Sequence, residues 1–327
     1  MLGKLHTTLL LTALLLSPVL TLAQTRPLIL FVDSYHEGYE WSDGILRGIR
    51  AVLEGKDVRL EVFRMDTKRN SSEEHARSAA NTAYSMIKEL KPDVVIAADD
   101  NASKFLVMPY LKDTSVPVVF CGINWDASIY GYPYPNVTGM LEVDLVPQTN
   151  ALLRRYAAGD RVGYLTVDSF SEQKITKYYN SMFMNNQMKL YLVKTFEAFK
   201  TAFIKAQTEV DMLYVSNYAG IDRWDSAEAE IFVASHTTIP TAARLPWMAR
   251  FALLTLAKSP QEQGVWSAKT ALKIINGTPP SRIPITKNRQ ADLIINLTIA
   301  DKLGIVVDPD LLEAAEIIRL KLPTVPE

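Results

Sequence analysis

"PLILFVDSYHEGYEWSDGILRGIR", residues 27–50, decides how the rest of the chain is read. It opens as a short continuous apolar run, the pattern of a strand buried on both faces. It closes as an amphipathic helix over residues 42–54, with Ile45, Ile49, Val52 and Leu53 on one face. Between the two stand Asp33, Ser34, Tyr35, His36, Gly38, Tyr39 and Trp41. A plain strand-to-helix turn needs only Gly, Asn, Asp or Ser. Rings, a hydroxyl and a carboxylate in that turn point to a ligand or to an unusual packing demand.

The same strand–loop–helix unit repeats outward from it. "VRLEVFRM" (58–65), "DVVIAA" (93–98), "VPVVFC" (116–121) and "NVTGMLEV" (136–143) read as strands, with helices expected over 72–90 and 102–111. A second series starts after residue 143. It has helices at 146–157, 171–185, 197–207 and 224–234, and strands at "RVGYLTV", "KLYLVKTF", "VDMLYVS" and "TTIPT". Strands alternating with helices imply right-handed βαβ units and parallel sheets covered on both faces. Two series imply two α/β lobes. After them, "FALLTLAKS" (251–259) and "ADLIINLT" (291–298) read as further strands. A helix from 260 is stopped by Gly277 and two prolines, and "DPDLLEAAEIIRLKL" (308–322) reads as a last helix.

The chain has 327 residues, 48% of them hydrophobic, and a net charge of −1. That suits one large or two medium folded domains, with no basic field to hold nucleic acid. Residues 1–23 carry one Lys, an apolar stretch at Leu9–Leu16 and a small residue at Ala23, which reads as a secretory signal peptide cleaved after Ala23. Its apolar stretch falls short of the about 20 residues a membrane span needs. Cleavage leaves 34 basic against 36 acidic residues, a net −2, and no second stretch apolar enough to span a bilayer. Cys121 is the only cysteine, so no internal disulfide forms; with no cysteine at the cleavage point, a lipid anchor is not expected either. A secreted chain of this kind fits a periplasm.

In open α/β sheets, ligands bind outside the carboxyl ends of the strands. Polar and aromatic residues collect there in both series: Ser34, Tyr35 and His36; Asp99, Asp100 and Asn101; Gly122, Asn124 and Trp125; Glu142; Asp168 and Ser169; Asn217 and Tyr218. Tyr39, Trp41, Trp224 and Asp225 stand close by in sequence. Several have local readings as well. Asp33 and Asp100 suit helix caps, and Trp41 shares a helical face with Ile45 and Ile49. Two adjacent carboxylates at 99–100 repel, so one of them needs another partner.

Catalytic patterns are missing. There is no Gly-x-Ser-x-Gly elbow, no phosphate loop, and no Gly-x-Gly-x-x-Gly after the first strand. None of the four histidines pairs at i,i+4, so no zinc site and no cofactor is expected. Cys121 reads as a buried, inert thiol rather than a nucleophile beside His36. A glycosidase-like acid pair among the cleft carboxylates is the least favoured reading, and the protein is expected not to be an enzyme.

"SYHEGYEW", "MDTKRN", "KPDVVIAADDNA", "PVVFCGINWD", "NVTGMLEV", "EQG" and "INGTPPSRIPI" together resemble the bacterial ABC-transporter substrate-binding proteins of the extracytoplasmic type I class. The resemblance runs from about residue 27 to the last helix, and extends to extracellular sensor regions of histidine kinases and diguanylate cyclases. It implies a type I periplasmic binding fold: two Rossmann-like lobes joined by a three-strand hinge, closing around one small solute. On that pattern, lobe one takes residues 24–142 and 250–285, and lobe two 143–249 and 286–327. The implied partners are a small-molecule ligand and a membrane permease, or a sensor receptor in the alternative reading; the protein would be a monomer. One departure stands out. Family members carry Pro-Thr-Gly ahead of a Trp-Met pair, whereas here Pro240-Thr241-Ala242 precedes Trp247-Met248. If glycine is needed there for positive φ, this segment differs locally.

The strand-end loops hold carboxylates and rings but no Arg or Lys, although Arg223 and Arg244 are near. An anion is therefore disfavoured. Carboxylates receive an ammonium or hydroxyls, and rings offer flat apolar faces. An amino acid is the first expectation for the solute, and a sugar the second.

Overall fold

The computed structural model describes residues 26–70 and 72–320, without the side chains of Phe170 and Ser171; the expected leader at 1–23 lies outside them. The first series forms β1 (Leu28–Asp33), β2 (Arg59–Arg64), β3 (Val94–Ala98), β4 (Val118–Asn124) and β5 (Val137–Glu142). The second forms β6 (Val162–Val167), β7 (Lys189–Val193), β8 (Met212–Val215), β9 (Thr241–Ala243) and β10 (Leu254–Lys258). They are followed by β11 (Thr286–Lys287), β12 (Ala291–Asn296) and β13 (Glu316–Ile318). One sheet runs β11-β5-β4-β3-β1-β2 and the other β13-β12-β10-β9-β8-β6-β7. Every pairing is parallel except β10 with β12. This is the two-sheet α/β architecture that the alternating pattern predicts. The central strands β1 and β3 are buried along their whole length, as continuous apolar runs require.

The helices are α1 (Glu40–Leu53), α2 (Glu73–Leu90), α3 (Asp99–Ala102), α4 (Val146–Leu153), α5 (Phe170–Phe183), α6 (Phe196–Glu209), α7 (Ser226–His236), α8 (Pro260–Ile275), α9 (Leu297–Leu303) and α10 (Pro309–Ala314). Helix α1 buries Ile45, Ile49 and Leu53 and lies against α8. The two backbones nearly touch. A Cβ on Gly48 would stand 2.3 Å from the Gln261 carbonyl oxygen, and one on Gly264 would stand 1.9 Å from that of Ile45. Only glycine permits this approach. It fixes α8 to the first lobe although its sequence follows the second.

Three expectations are corrected. The helix expected over 102–111 begins at Asp99 and widens into π-helical turns over Ser103–Leu111, with Pro109 inside them. Proline has no N–H for a regular helical bond, and π segments gather at functional sites. The final helix ends at Ala314, and Glu316–Ile318 instead pairs with Ile294–Asn296 as an edge strand. Here the β-branched Ile317 and Ile318 complete a sheet that the local helical pattern does not see. Finally, β10 lies between β9 and β12, so the chain stays in the second sheet to Lys258, where the sequence reading changes lobes near 250.

The chain passes between the sheets at 142–146, 258–260 and 287–291. These segments are bonded together. Asn288 accepts from Val143 N (2.7 Å) and donates to Val143 O (3.1 Å). Glu262 receives the backbone N–H of Arg289 and Gln290. Lys258, at the end of β10, reaches Glu142, at the end of β5. The carboxyl ends of both sheets therefore meet at this hinge.

Candidate functional site

The site builds from the end of β1. Asp33 is fully buried and all its bonds stay inside the first lobe. It accepts from Ser42 Oγ (2.7 Å), Tyr35 N (3.0 Å) and Arg64 (2.6 Å). Burial raises its carboxyl above the usual value against the pull of these donors. Asp33 thus clamps the 33–42 loop. Ser34 is equally committed: its hydroxyl donates to Ala98 O (2.6 Å) and accepts from Ala102 N (2.8 Å). Thr67 donates to Ser34 O (2.6 Å), and Asn101 donates to Thr67 Oγ1 (2.7 Å). Ser34 and Asn101, both expected to contact ligand, here lock three loops into one floor. His36 is turned to its neighbour Glu37, with Nδ1 2.8 Å from that carbonyl.

The two adjacent acids go different ways. Asp99 is buried with φ +69°, and Trp41 Nε1 donates to its Oδ1 at 2.9 Å. Its Oδ2 is buried with no protein partner. Burial, then the charges of Glu142, Asp33 and Asp100, push this carboxyl well above the usual range. Gly122, φ +71°, leaves room for it: a Cβ there would stand 2.5 Å from Asp99 Oδ1. Asp100 is only half-buried and is held by Tyr130 Oη (2.8 Å) and Asn124 Nδ2 (3.2 Å). The Tyr35 hydroxyl feels the charge of these acids. Burial raises its pKa, and Asp99, Asp100 and Glu142 raise it further, so it stays a neutral phenol.

Glu142 and Asp144 share Lys258, at 2.5 and 2.9 Å. Burial raises Glu142 despite that cation. Asp144 is also buried, but Lys258 and Arg244 hold it below its usual value. Tyr179 donates to Asp144, and Arg244 continues the network to Glu172 (2.6 Å) and Ser216 (3.0 Å). Trp125, φ +61°, reaches from the first lobe to α5, edge-on to Tyr179 (5.7 Å) and tilted against Phe183 (5.8 Å).

The remaining second-lobe candidates have local bonds. Asp168 is held by Gln173 (2.6 Å) and Lys194 (3.4 Å), and Ser169 caps α5. Asn217 donates to Glu172 (3.3 Å). Tyr218 stacks on Trp224 at 4.8 Å, and Trp224 packs on Phe196, Phe199 and Phe251. Asp225 caps α7 through Glu228 N (2.9 Å). Ala242 lies within β9, away from the left-handed region, so the missing glycine strains nothing there. Cys121 is fully buried and its thiol is pushed up by that burial.

One argument from sequence is overturned. Cations do stand at the strand ends: Arg64 closing β2, Lys68 in the next turn, Arg244 after β9 and Lys258 closing β10. Lys68 already follows the strand expected at 58–65, whereas Arg244 and Lys258 are placed at the edge by the observed bounds of β9 and β10. Among the described residues, no group of three or more His, Cys, Asp or Glu is arranged to hold a metal ion, and no helix is long and apolar enough to cross a membrane.

No curated protein matches the chain. The ligand-free, open structure of CD0873 from Clostridium difficile, a substrate-binding protein with adhesive properties, has TM-score 0.69 and 19% identity over 90% of this chain and 100% of that one. An ABC domain from Streptococcus pneumonia in complex with L-Trp has TM-score 0.56 and 18% identity, covering 90% and 100%. A conserved domain protein from Vibrio cholerae gives 0.57 and 18%, covering 90% and 99%. These likenesses show the type I periplasmic binding fold. The family model for ABC transporter substrate-binding proteins matches residues 38–318. With that match across most of its length, the chain belongs to the ABC transporter substrate-binding protein family.

Proposed function

We propose that this protein is a periplasmic binding protein that takes an amino acid, or a similarly small polar or aromatic solute, into the cleft between its lobes and hands it to an ABC importer. The observation that carries this reading is the composition of the first-lobe edge. Half-buried Tyr35, Trp41 and Trp125 stand in or beside the loops that follow β1 and β4, on either side of the one that carries Asp100, a carboxylate held in place by Tyr130 and Asn124. Rings supply apolar faces, and a fixed carboxylate receives an ammonium. The pneumococcal neighbour holds L-Trp, but at 18% identity it carries the fold alone; the choice of solute rests on these residues. The leader-like residues 1–23 support export to the periplasm.

Native mass spectrometry of the protein as purified, followed by a thermal-shift screen of amino acids, amines and sugars, tests the reading. A 1:1 complex and a raised melting temperature with one class are expected. No shift with any small solute counts against it. Asp100→Ala is expected to weaken binding by about 1–3 kcal/mol, the cost of removing a charged partner. Unchanged affinity removes Asp100 from the site.

A further inference from the structure

Lys68 stands out as a cation that the fold places but does not pair. Its amine lies 4.8 Å from the centre of the Tyr35 ring and 4.1 Å from that of Tyr39, and it donates to Tyr39 Oη at 2.8 Å. The two rings meet edge to face at 5.2 Å, so they form a platform for it. The nearest acid in sequence, Asp66, is taken by Arg69 (2.8 Å) and Asn70 (3.0 Å). Among the described residues, no carboxylate lies within ion-pair distance of Lys68. An ammonium has three donors. Tyr39 uses one, and two remain.

One bond joins the segments that carry Lys68 and Asp100. Asn101 Nδ2 donates to Thr67 Oγ1 at 2.7 Å, joining the turn after β2 to the start of α3. Lys68 follows Thr67, and Asp100 precedes Asn101. A cation and an anion therefore flank this bond at the carboxyl edge of the first sheet. They are not paired to each other: Asp100 accepts from Tyr130 and Asn124, and Lys68 sits over the tyrosines. A solute carrying both charges answers both groups. An amine leaves Lys68 unused, and a sugar leaves both charges without a counter-charge.

We propose that Lys68 is the specificity-determining residue for the carboxylate of a zwitterionic solute whose ammonium meets Asp100. The proposal rests on the amino-acid reading above and adds which end of the molecule selects it. Free acids are then preferred over their carboxamides, which keep the ammonium and the side chain but lose the negative charge.

The test takes the L-amino acid that most raises the melting temperature and its carboxamide, and titrates both calorimetrically into the wild type, Lys68→Met and Lys68→Arg. Lys68 is exposed, and Met keeps an apolar stem over the rings, so the variants are expected to fold. The wild type is expected to bind the acid at least tenfold more tightly than the carboxamide. Lys68→Met is expected to erase that preference by weakening the acid alone, and Lys68→Arg to restore most of it. Acid affinity unchanged in Lys68→Met overturns the role of Lys68 while leaving the amino-acid reading intact. Equal losses for acid and carboxamide also overturn it, by showing a general packing role. If no amino acid binds the wild type at all, the solute class and the proposal fall together.

Discussion

Lys258→Met isolates the hinge. The Lys258 amine serves Glu142 at 2.5 Å and Asp144 at 2.9 Å, and all three side chains are at most 10% exposed. Removing one partner of a buried ion pair costs about 3–5 kcal/mol, because the remaining charge is left unpaired in a poorly solvated place. Asp144 keeps the Tyr179 hydroxyl and has Arg244 at 4.0 Å, so the larger part of the loss falls on Glu142. The pH dependence has a definite sign. Burial already raises the Glu142 carboxyl in the folded protein, and losing Lys258 raises it further. Between the unfolded and folded values, only the native state holds the proton, so the variant regains stability as pH falls through its folded value. Asp144 acts the other way in the wild type. Its folded value is depressed, so its contribution is present above the unfolded value and fades as pH drops. The Glu142 effect narrows the gap between variant and wild type in mild acid, and the Asp144 effect adds to it only below the unfolded value of that acid. Urea unfolding followed by tryptophan fluorescence should show a deficit of about 3–5 kcal/mol near pH 8, shrinking toward pH 5. Adding Glu142→Gln should recover much of it. A deficit below about 1 kcal/mol, or one independent of pH, refutes the claim that Lys258 is the essential partner of a buried Glu142.

Three further outcomes follow from the first lobe. Trp41→Phe keeps the ring but removes the donor to Asp99 Oδ1, leaving that buried carboxyl without its one side-chain donor; a loss of about 1–3 kcal/mol in denaturant is expected. Gly122→Ala sets a Cβ 2.5 Å from Asp99 Oδ1 at φ +71°, and should destabilise by about 1–3 kcal/mol; a neutral result would mean the β4 bulge relaxes freely. Cys121 should resist a thiol reagent in the native protein and react fully in denaturant, as burial and a raised thiol require.

Much of this architecture was legible locally. Continuous apolar runs such as Val94–Ala98, each followed by a helical pattern, determined two α/β series and their strand ends. The edge rule then brought Tyr35, Trp41, Asp99, Asp100, Trp125 and Glu142 into the candidate site. The resemblance, carried by a handful of short motifs, supplied the fold and the expectation of three crossings that periodicity does not encode, and the second of these falls at 258–260 rather than near 250. Tertiary structure alone decided how the polar residues divide. Ser34 and Asp225 bond to backbone, Asp99 is sealed under Trp41, and Asp100 stays half-buried. It also decided that Glu316–Ile318 is a strand, because β12 offers it an edge. The physical reason is range. A helix or strand pattern is set by neighbours a few positions away, whereas Trp41 meets Asp99 across 58 positions and Val143 meets Asn288 across 145. Such pairs exist only once the sheet order brings their elements together, and they determine which charges are spent on the fold and which, like Lys68, stay exposed with no acid partner among the described residues.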